Sequence, residues 1–323
     1  MSNDSKVFHS LNHNHIINQI FYDTWKMNQD NISRTKAYDI FFKQYPEVKW
    51  AYLASMVSRN AGWNMCDLEG SILKSMLSQE YRKALFLTYE TANYLIFQDA
   101  FPQLLLYHYS TKLKRNLFQY FEVFSITNFM RKEWDYFCRY GNEDRLMTSL
   151  IINEQNIIQT PVIEGRFFHD KVFSSAIFIL QDFMHFNSVV FPTLNGELYG
   201  ASVSHFKSLD ARIQLGKRLA QILFSEQYFL FRTFANKVEH TGSREDYEKY
   251  LKRKMNHRTP YLRMTFPLIK HPVYMYQSWE NLRKVKNTWR KPIKRNESNN
   301  ITKWYINKQS QLQMFASIYH ALL

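Results

Sequence analysis

The sequence predicts an all-α protein, built either as one large multi-helix bundle or as two closely packed helical halves. Apolar residues recur at helical spacing along most of the chain. The 323 residues include only 8 Gly and 8 Pro, which disfavours turn-rich β architectures and low-complexity linkers. The 26 Phe and 21 Tyr indicate a bulky, aromatic-rich interior.

The clearest helix is predicted over residues 208–236. Leu209, Ile213 and Leu223 share one face of it, and polar residues occupy the opposite face. Ser208 is a suitable N-cap for this helix. By the same reasoning, further helices are expected over residues 12–28, 33–44, 46–61, 68–78, 80–98, 100–113, 128–140, 142–159, 168–186, 243–256 and 301–323.

Proline, glycine and aspartate positions suggest where several of these helices begin and end. Pro46 suits a first helical turn, and Gly62 suits the position just past a helix end. Asp99 can cap a helix whose first turn tolerates Pro102.

The best loop candidates are Gly165 and residues 192–200. We therefore expect a boundary near residues 160–165. It would separate an N-terminal helical half with an aromatic-rich core, residues 1–160, from a C-terminal helical half, residues 161–323.

The sequence gives little sign of export or membrane insertion. No apolar signal region is evident near its start, and residues 172–191 are the closest approach to a membrane span. That stretch carries Asp182 and His185, which are costly in hydrocarbon, so a core helix is the better interpretation. Cys66 and Cys138 lie far apart without metal-ligand spacing, which favours a reducing compartment. We expect a cytoplasmic protein.

Positive charge is concentrated in residues 249–295, which we call the basic segment. It holds 14 Lys or Arg and one acid, Glu280, so +13 of the formal net charge of +14 lies there. Such a concentration indicates an anionic partner. The candidate anion-binding residues are Lys252, Arg253, Lys254, Arg258, Arg263, Lys270, Arg283, Lys284, Lys286, Arg290, Lys291, Lys294 and Arg295.

Aromatic residues are interleaved with these cations, among them Tyr261, Phe266, Trp279 and Trp289. Cations neutralise phosphates and exposed aromatic rings stack on unpaired bases, which suits nucleic acid. The same mixture suits an anionic membrane surface. The alternative is a folded helical layer, in which the aromatic residues form the core and Lys and Arg form the solvated face.

A second group of candidate residues consists of polar side chains in apolar helices. Small residues occupy the remaining faces of the helix predicted at 46–61, and Arg59, Asn60 and Asn64 fall near its C-terminal end beside Trp63. The helix dipole favours a cation at such an end. The functional alternative is an anion- or amide-binding corner roofed by the indole.

Glu90 and Asn93 share a helical face with apolar residues, so Glu90 is expected to be buried. A buried carboxylate needs a partner or a raised pKa, and Arg34 or Arg59 can supply the partner. A structural ion pair is the more common outcome, and a functional site is the alternative. The set that we call the polar corner consists of Arg34, Arg59, Asn60, Trp63, Asn64, Glu90, Asn93 and Asp99.

Catalytic signatures are mostly missing. No Gly-x-Gly and no Gly-x-Ser-x-Gly pattern occurs, which excludes a dinucleotide fingerprint, a phosphate loop and a nucleophile elbow. A single Asp-x-x-His occurs where helical di-metal sites need two acid-x-x-His motifs. His169-Asp170 is similar to the metal-binding pair of helical phosphohydrolases, with His108 and Asp210 as conceivable further ligands, but such a pair arises easily by chance. No metal ion and no cofactor is predicted.

Three stretches carry a family resemblance: residues 31–38, residues 50–65 with Ser-Arg-Asn-Ala-Gly-Trp-Asn-Met at their end, and residues 98–107. Through them the chain resembles the YppC-type family, a domain-of-unknown-function family of endospore-forming Gram-positive bacteria, along nearly its whole length. The resemblance implies a cytoplasmic, helical, bacterial protein and brings no known activity, ligand or cofactor. It marks as motif positions Arg34, Arg59, Asn60, Trp63, Asn64, Asp99 and Gln103.

Two functional hypotheses follow. The preferred one is non-enzymatic binding of nucleic acid or of an anionic membrane surface through the basic segment, with an acidic protein partner left open. The alternative is a helical enzyme that acts on a small anionic or phosphoester substrate around Arg59, Asn60 and Glu90.

Overall fold

Helices dominate the fold, as the sequence predicts. The computed structural model of the chain describes residues 13–173, 188–202, 205–253, 258–272, 278–293 and 299–322. The longer elements are α1 (His13–Met27), α2 (Asn31–Gln44), α3 (Lys49–Asp67), α4 (Ser71–Met76), α5 (Gln79–Leu113), α6 (Asn128–Tyr140), α7 (Glu143–Ile158), β1 (Ser188–Pro192), β2 (Leu198–Ser202), α8 (Leu209–Leu223), α9 (Tyr228–Lys237) and α10 (Thr302–Leu322).

Short helical segments connect these elements. Most of the helix predicted over residues 168–186 lies outside the described residues. The short segments are Phe118–Phe124, Gln159–Ile163, Arg166–Phe168, His169–Phe173, Glu245–Glu248, Leu262–Thr265, Trp279–Asn281 and Asn287–Arg290.

Helix α6 follows its local sequence signals closely. The Thr127 side chain accepts a hydrogen bond from the Met130 backbone N–H, and Gly141 ends the helix in the left-handed conformation with φ of 64°. Ser208 caps α8 by accepting from the Ala211 backbone N–H, as predicted. Where both end signals are local, the predicted and observed helices agree.

The predicted division at residue 99 is wrong, because α5 runs without interruption from Gln79 to Leu113. Asp99 lies inside this helix rather than at a cap, and Pro102 is accommodated in its interior. Leu104 and Leu106 beyond the proline are fully buried. Their packing outweighs the missing backbone N–H of proline, which on its own favours a helix end.

Two other helix predictions need correction. Of the helix predicted over 243–256, the described residues 243–253 contain only the short segment Glu245–Glu248. The hydroxyl of Ser243 bonds to Thr259 and competes with helical hydrogen bonding. The helix predicted over 208–236 is divided into α8 and α9, and the Ser225 hydroxyl in the break donates to a carbonyl of the preceding turn.

The predicted loop at 192–200 is part of an antiparallel hairpin formed by β1 and β2. Gly200 pairs with Val190, and a Cβ atom on Gly200 would lie 2.1 Å from the Val189 carbonyl oxygen. Only glycine permits this close approach of the two strands. The expectation that Gly62 lies beyond a helix end is also wrong, since Gly62 lies within α3.

The main hydrophobic core is rich in aromatic side chains and lies among α1, α2, α3, α5, α6, α7 and α8. Helices α2 and α3 pack closely because small side chains separate them, and Ser55 Oγ donates to the Thr35 carbonyl at 3.0 Å. A smaller core joins Trp63 to the hairpin, α9 and α10. Helix α10 also packs against α4.

Candidate functional site

Arg34 and Glu90 form a buried, bidentate ion pair between α2 and α5. Arg34 Nη2 lies 2.5 Å from Glu90 Oε1, and Nη1 lies 2.9 Å from Oε2. Arg34 also donates to the side chains of Asn28 and Asn31. His271 Nε2 lies 3.1 Å from Glu90 Oε1. The structure thus confirms that Glu90 is buried and that Arg34 is its partner.

The ion pair determines the charge state of Glu90. Burial alone would raise the pKa of this carboxyl group, but the Arg34 guanidinium and the contact with His271 hold the pKa below its usual range. The His271 ring stacks on Tyr94 with the ring centroids 3.8 Å apart, which fixes its position. Glu90 is therefore an ionised, hydrogen-bonded carboxylate rather than a general acid poised near neutral pH.

Arg59 belongs to a separate network at the side of α3 that faces α9. Its Nη2 donates to the Val238 carbonyl at 2.5 Å, and its guanidinium lies 5.5 Å from the centre of the Phe234 ring. Burial lowers the pKa of Arg59. Within the described residues, Nε and Nη1 have no hydrogen-bond partner and Glu90 makes no ion pair with Arg59. The two residues do not converge on one site.

Asn60 holds the hairpin against α3. Its Nδ2 donates to the Val190 carbonyl at 2.8 Å, and its Oδ1 accepts from the Val190 backbone N–H at 2.8 Å. This pair of bonds satisfies the edge of β1 as a neighbouring strand would. Asn60 thus has a structural role.

Trp63 and Asn64 contact the segment that follows α9. Trp63 Nε1 donates to Asp246 Oδ2 at 2.9 Å, and Arg244 Nη2 donates to Asn64 Oδ1 at 3.1 Å. His240 Nδ1 lies 3.4 Å from the same Asp246 oxygen. Sequence reasoning missed Arg244, Asp246 and His240. Arg244 and Asp246 lie some 180 positions from their hydrogen-bond partners in α3, and no local pattern marks any of the three residues.

Asp99 lies in a third buried network, with Gln103 and Asn153. Both amides donate to Asp99 Oδ2, at 2.7 and 2.6 Å. Burial raises the pKa of Asp99 to about 7, and the two neutral donors offset only part of that shift. Asn93 donates at 2.7 Å to the Tyr89 carbonyl, four residues earlier in α5. The polar corner is thus several separate networks.

One of these networks borders a cavity of about 440 Å³, which we call the Glu90 cavity. Glu90 contributes to its wall, and so does Arg263 of the basic segment. Arg263 Nε lies 2.7 Å from Asp30 Oδ2, and the Phe86 and Phe266 rings stack with centroids 4.0 Å apart. The apolar part of the wall is formed by Met65, Phe86, Leu262, Phe266, Leu268 and Ile269.

The 13 candidate anion-binding residues of the basic segment fall into three groups. Lys254, Lys294 and Arg295 lie outside the described residues. Four others pair with acids from elsewhere in the chain: Arg263 with Asp30, Arg283 with Glu164, Lys286 with Asp210 and Arg290 with Glu133. Six are exposed and make no ion pair with a described residue, namely Lys252, Arg253, Arg258, Lys270, Lys284 and Lys291.

The single acid of the segment is engaged in a helix cap. Glu280 accepts hydrogen bonds from the backbone N–H groups of Asn128 and Phe129, at 3.0 and 2.8 Å, at the start of α6. Its charge is therefore directed at α6 and not at the neighbouring cations of the segment.

Two tryptophans anchor the basic segment to the helical core. Trp279 and Trp289 are buried, and their Nε1 atoms donate to Asn153 and Asp210 at 2.8 and 2.5 Å. Phe266 is partly buried in its stack with Phe86. These rings support the folded-layer interpretation and are not available to stack on bases. Large apolar side chains nevertheless protrude from residues 258–272, with exposed fractions of 83% for Met264, 61% for Leu268 and 47% for Tyr261.

The residues considered as metal ligands do not assemble. His169 and Asp170 are exposed and 3.3 Å apart, His108 lies 3.0 Å from the Tyr45 hydroxyl, and Asp210 pairs with Lys286. Within the described parts of the chain, no three His, Cys, Asp or Glu residues come together as a metal site. Asp182 and His185 lie outside the described residues.

No helix among the described residues is both long and apolar enough to span a membrane.

Comparisons with known proteins identify a family and add no activity. The family described as "Protein of unknown function (DUF2515)" matches residues 26–306. The "Uncharacterized protein YppC" of Bacillus subtilis (strain 168) is 44% identical over 305 residues, which cover 94% of this chain and 95% of the relative. No solved structure matches the chain. The resemblance to the YppC-type family is thereby confirmed, and the chain belongs to the DUF2515 family.

Proposed function

We propose that this protein binds peripherally to an anionic membrane surface through residues 258–272, which we call the strap. The observation that carries the proposal is that Met264 and Leu268 are exposed in the same short stretch as Arg258 and Lys270, two exposed cations that pair with no described acid. A contiguous apolar patch on the surface of a folded protein often marks an interaction site. Cations and apolar groups combined are typical of proteins that lie on anionic lipid.

The charges of the strap support this partner. Arg258 and Lys270 are exposed and pair with no described acid. Each Lys or Arg near an anionic leaflet contributes about 1 kcal/mol of attraction, so the electrostatic part of binding depends strongly on salt. Insertion of the Met264 and Leu268 side chains adds up to about 1.5–3 kcal/mol each if they become fully buried.

Nucleic acid is the less favoured partner. Base stacking needs exposed aromatic rings, yet Trp279 and Trp289 are buried. Among the described aromatic side chains of the basic segment, only Tyr261 is exposed. The protruding Met264 and Leu268 have no role on a phosphate backbone, whereas they have one at the acyl-chain boundary of a membrane.

Vesicle sedimentation tests the proposal. The protein should co-sediment with vesicles of phosphatidylglycerol and phosphatidylcholine at low salt, should bind weakly to pure phosphatidylcholine, and should dissociate as salt rises. Met264→Ser with Leu268→Ser should reduce binding by about tenfold or more, as the loss of at least 1.4 kcal/mol of apolar insertion requires. The Arg258→Glu, Lys270→Glu variant should do the same.

The matched control is the pair Lys284→Glu and Lys291→Glu, which reverses two exposed cations outside the strap that pair with no described acid. It should weaken binding less than the strap variant does. No binding to anionic vesicles at low salt would overturn the proposal. If DNA or RNA is bound instead and the Met264, Leu268 variant binds it normally, nucleic acid is the partner.

The enzyme hypothesis gains no observation in its favour. Arg59 and Glu90 lie in separate networks, and Asn60 is committed to the hairpin. A small anion approaching Glu90 would meet its carboxylate, while the guanidinium of Arg34 is already occupied by that carboxylate and by asparagine oxygens.

A further inference from the structure

We infer that the Glu90 cavity binds a small, uncharged amphipathic molecule that places an apolar chain or ring among the hydrophobic side chains and a hydroxyl or amide group near Glu90. This inference does not depend on membrane binding: the cavity and the exposed face of the strap share Leu268, but Met264 belongs to the exposed face alone and Phe86 to the cavity alone. It rests on three observations: the size of the cavity, the unused hydrogen-bonding capacity of its polar atoms, and the balance of its charges.

The cavity has the size and composition of a ligand site. A volume of about 440 Å³ falls within the roughly 300–1,000 Å³ that is typical of small-molecule pockets. Apolar side chains from α3, α5 and the strap form much of its wall, including Met65, Phe86 and Ile269. The polar residues of the wall come from residues 29–33 at the start of α2, from Glu90 of α5 and from Arg263. Polar groups at one side of an apolar pocket can orient a ligand.

The polar atoms of the wall retain hydrogen-bonding capacity. Glu90 accepts three bonds, two from Arg34 and one from His271, whereas an ionised carboxylate has about four acceptor positions. The remaining position is on Oε2, which accepts only from Arg34 Nη1. Because Glu90 is 4% exposed, a ligand hydroxyl or N–H that reaches it would form a charge-assisted bond away from bulk water.

The charges around the cavity are already balanced. Glu90 is paired with Arg34, and Asp30 is paired with Arg263, whose Nη2 also donates to Ser33 Oγ at 3.0 Å. A ligand anion would face the carboxylates of Asp30 and Glu90, and a ligand cation would approach the Arg263 guanidinium without an unpaired acid in the wall to receive it. Either charge would lose its hydration without a partner, so an uncharged ligand is favoured.

The inference is tested with three probes that share one alkyl chain: 1-octanol, octanoate and octylamine, which is a cation at neutral pH. Isothermal titration calorimetry without vesicles should give saturable 1:1 binding of 1-octanol. Octanoate and octylamine should each bind at least about tenfold more weakly, a difference of about 1.4 kcal/mol. Absence of saturable 1-octanol binding, or equal affinity for octanoate, would overturn the inference.

A cavity-filling variant locates the site. Leu268→Trp enlarges a partly exposed side chain of the wall and should weaken 1-octanol binding by at least about tenfold, or about 1.4 kcal/mol. The matched control is Leu282→Trp, at an exposed leucine of the basic segment that does not contribute to the cavity. Unchanged binding by a folded Leu268→Trp variant would show that the molecule binds elsewhere and would overturn the assignment.

A second variant tests the charge argument and does not require a buried residue to change. Arg263→Met removes the cationic partner of Asp30 and leaves the Asp30 carboxylate in the cavity wall without a balancing charge. The preference should then shift towards octylamine, by about tenfold relative to 1-octanol, which corresponds to about 1.4 kcal/mol. If the ratio of the two affinities is the same as in the unmodified protein, the charge balance at the cavity does not select the ligand.

Discussion

Replacement of Arg34 by methionine tests whether the Arg34–Glu90 pair holds the fold together. The side chains of Arg34 and Glu90 are 1% and 5% exposed. Methionine preserves most of the arginine volume but leaves the Glu90 carboxylate with His271 alone. Removal of one partner of a buried ion pair costs about 3–5 kcal/mol, mainly because the other charge stays buried and uncompensated. The variant also removes the guanidinium that donates to the side-chain oxygens of Asn28 and Asn31. The expected loss of unfolding free energy is therefore at the upper end of that range.

The pH dependence of this loss gives a second, independent readout. In the unmodified protein the pKa of Glu90 is below its ordinary value. The ionised carboxylate therefore stabilises the fold at pH values above that ordinary value, and this stabilisation is lost as the pH falls through the folded-state pKa. Without Arg34, burial dominates and the folded-state pKa rises above the unfolded value. The variant then gains stability relative to the unmodified protein as the pH falls towards 4.5 and the carboxyl group becomes protonated.

Urea denaturation followed by tryptophan fluorescence at pH 7 and at pH 5 measures both effects. Lys286→Met is the matched control, because it removes a pair with Asp210 whose side chains are 57% and 52% exposed. That control should lose no more than about 1 kcal/mol. The double variant Arg34→Met, Glu90→Leu should lose less than the single one. A loss below about 1 kcal/mol for Arg34→Met, with no change between the two pH values, would refute a structural role for the pair.

Two further variants follow from buried groups. Asp99→Asn should become progressively more stable than the unmodified protein as pH rises from about 4 to 7, measured by urea denaturation. The pKa of Asp99 is raised to about 7, so the folded state retains a proton that the unfolded state releases between about pH 4 and 7. A stability difference between variant and unmodified protein that stays constant over this pH range would contradict the prediction. The same trend in the exposed control Glu245→Gln would also contradict it. Gly62→Ala should lower the melting temperature, since its Cβ would lie 2.8 Å from His240 Nε2. Adding His240→Ala to the same chain should reduce the further loss of melting temperature that this Cβ causes. A Gly62→Ala variant as stable as the original would show that His240 moves freely.

The sequence predicts those elements whose determinants lie within a few residues. Helix α6 is a clear example, because Thr127 and Gly141 supply both of its ends. The continuity of α5 could not be predicted in the same way. Pro102 is a local signal for a helix end, and the packing of Leu104 that outweighs it depends on residues from other helices.

The candidate site shows the same limit. Burial of Glu90 follows from its apolar helical face, but the choice between Arg34 and Arg59 depends on how α2 and α3 lie against α5. His271, 181 positions away from Glu90, is invisible to any local pattern. The Glu90 cavity combines residues from α2, α3, α5 and the strap, so its existence requires tertiary structure.

The net charge of the basic segment is counted from its own residues, so it likewise leaves out the acids from elsewhere in the chain that pair with its cations. Arg263 meets Asp30 across 233 positions and Arg290 meets Glu133 across 157, so these cations are partly neutralised in ways that composition does not reveal. The alternative that the segment is a folded layer with aromatic residues in its core is supported by the buried Trp279 and Trp289.

The two proposals share the strap and can nevertheless be separated by single residues. Met264 is 83% exposed and does not contribute to the cavity wall, whereas Phe266 lies in that wall and stacks on Phe86. Met264→Ser should therefore weaken vesicle binding and leave the affinity for 1-octanol unchanged. Leu268 contributes to both features, so Leu268→Trp weakens 1-octanol binding while its bulky ring retains affinity for the membrane interface. If every strap variant changes both affinities in parallel, cavity and surface act as one site, and the ligand of the cavity reaches it from the lipid.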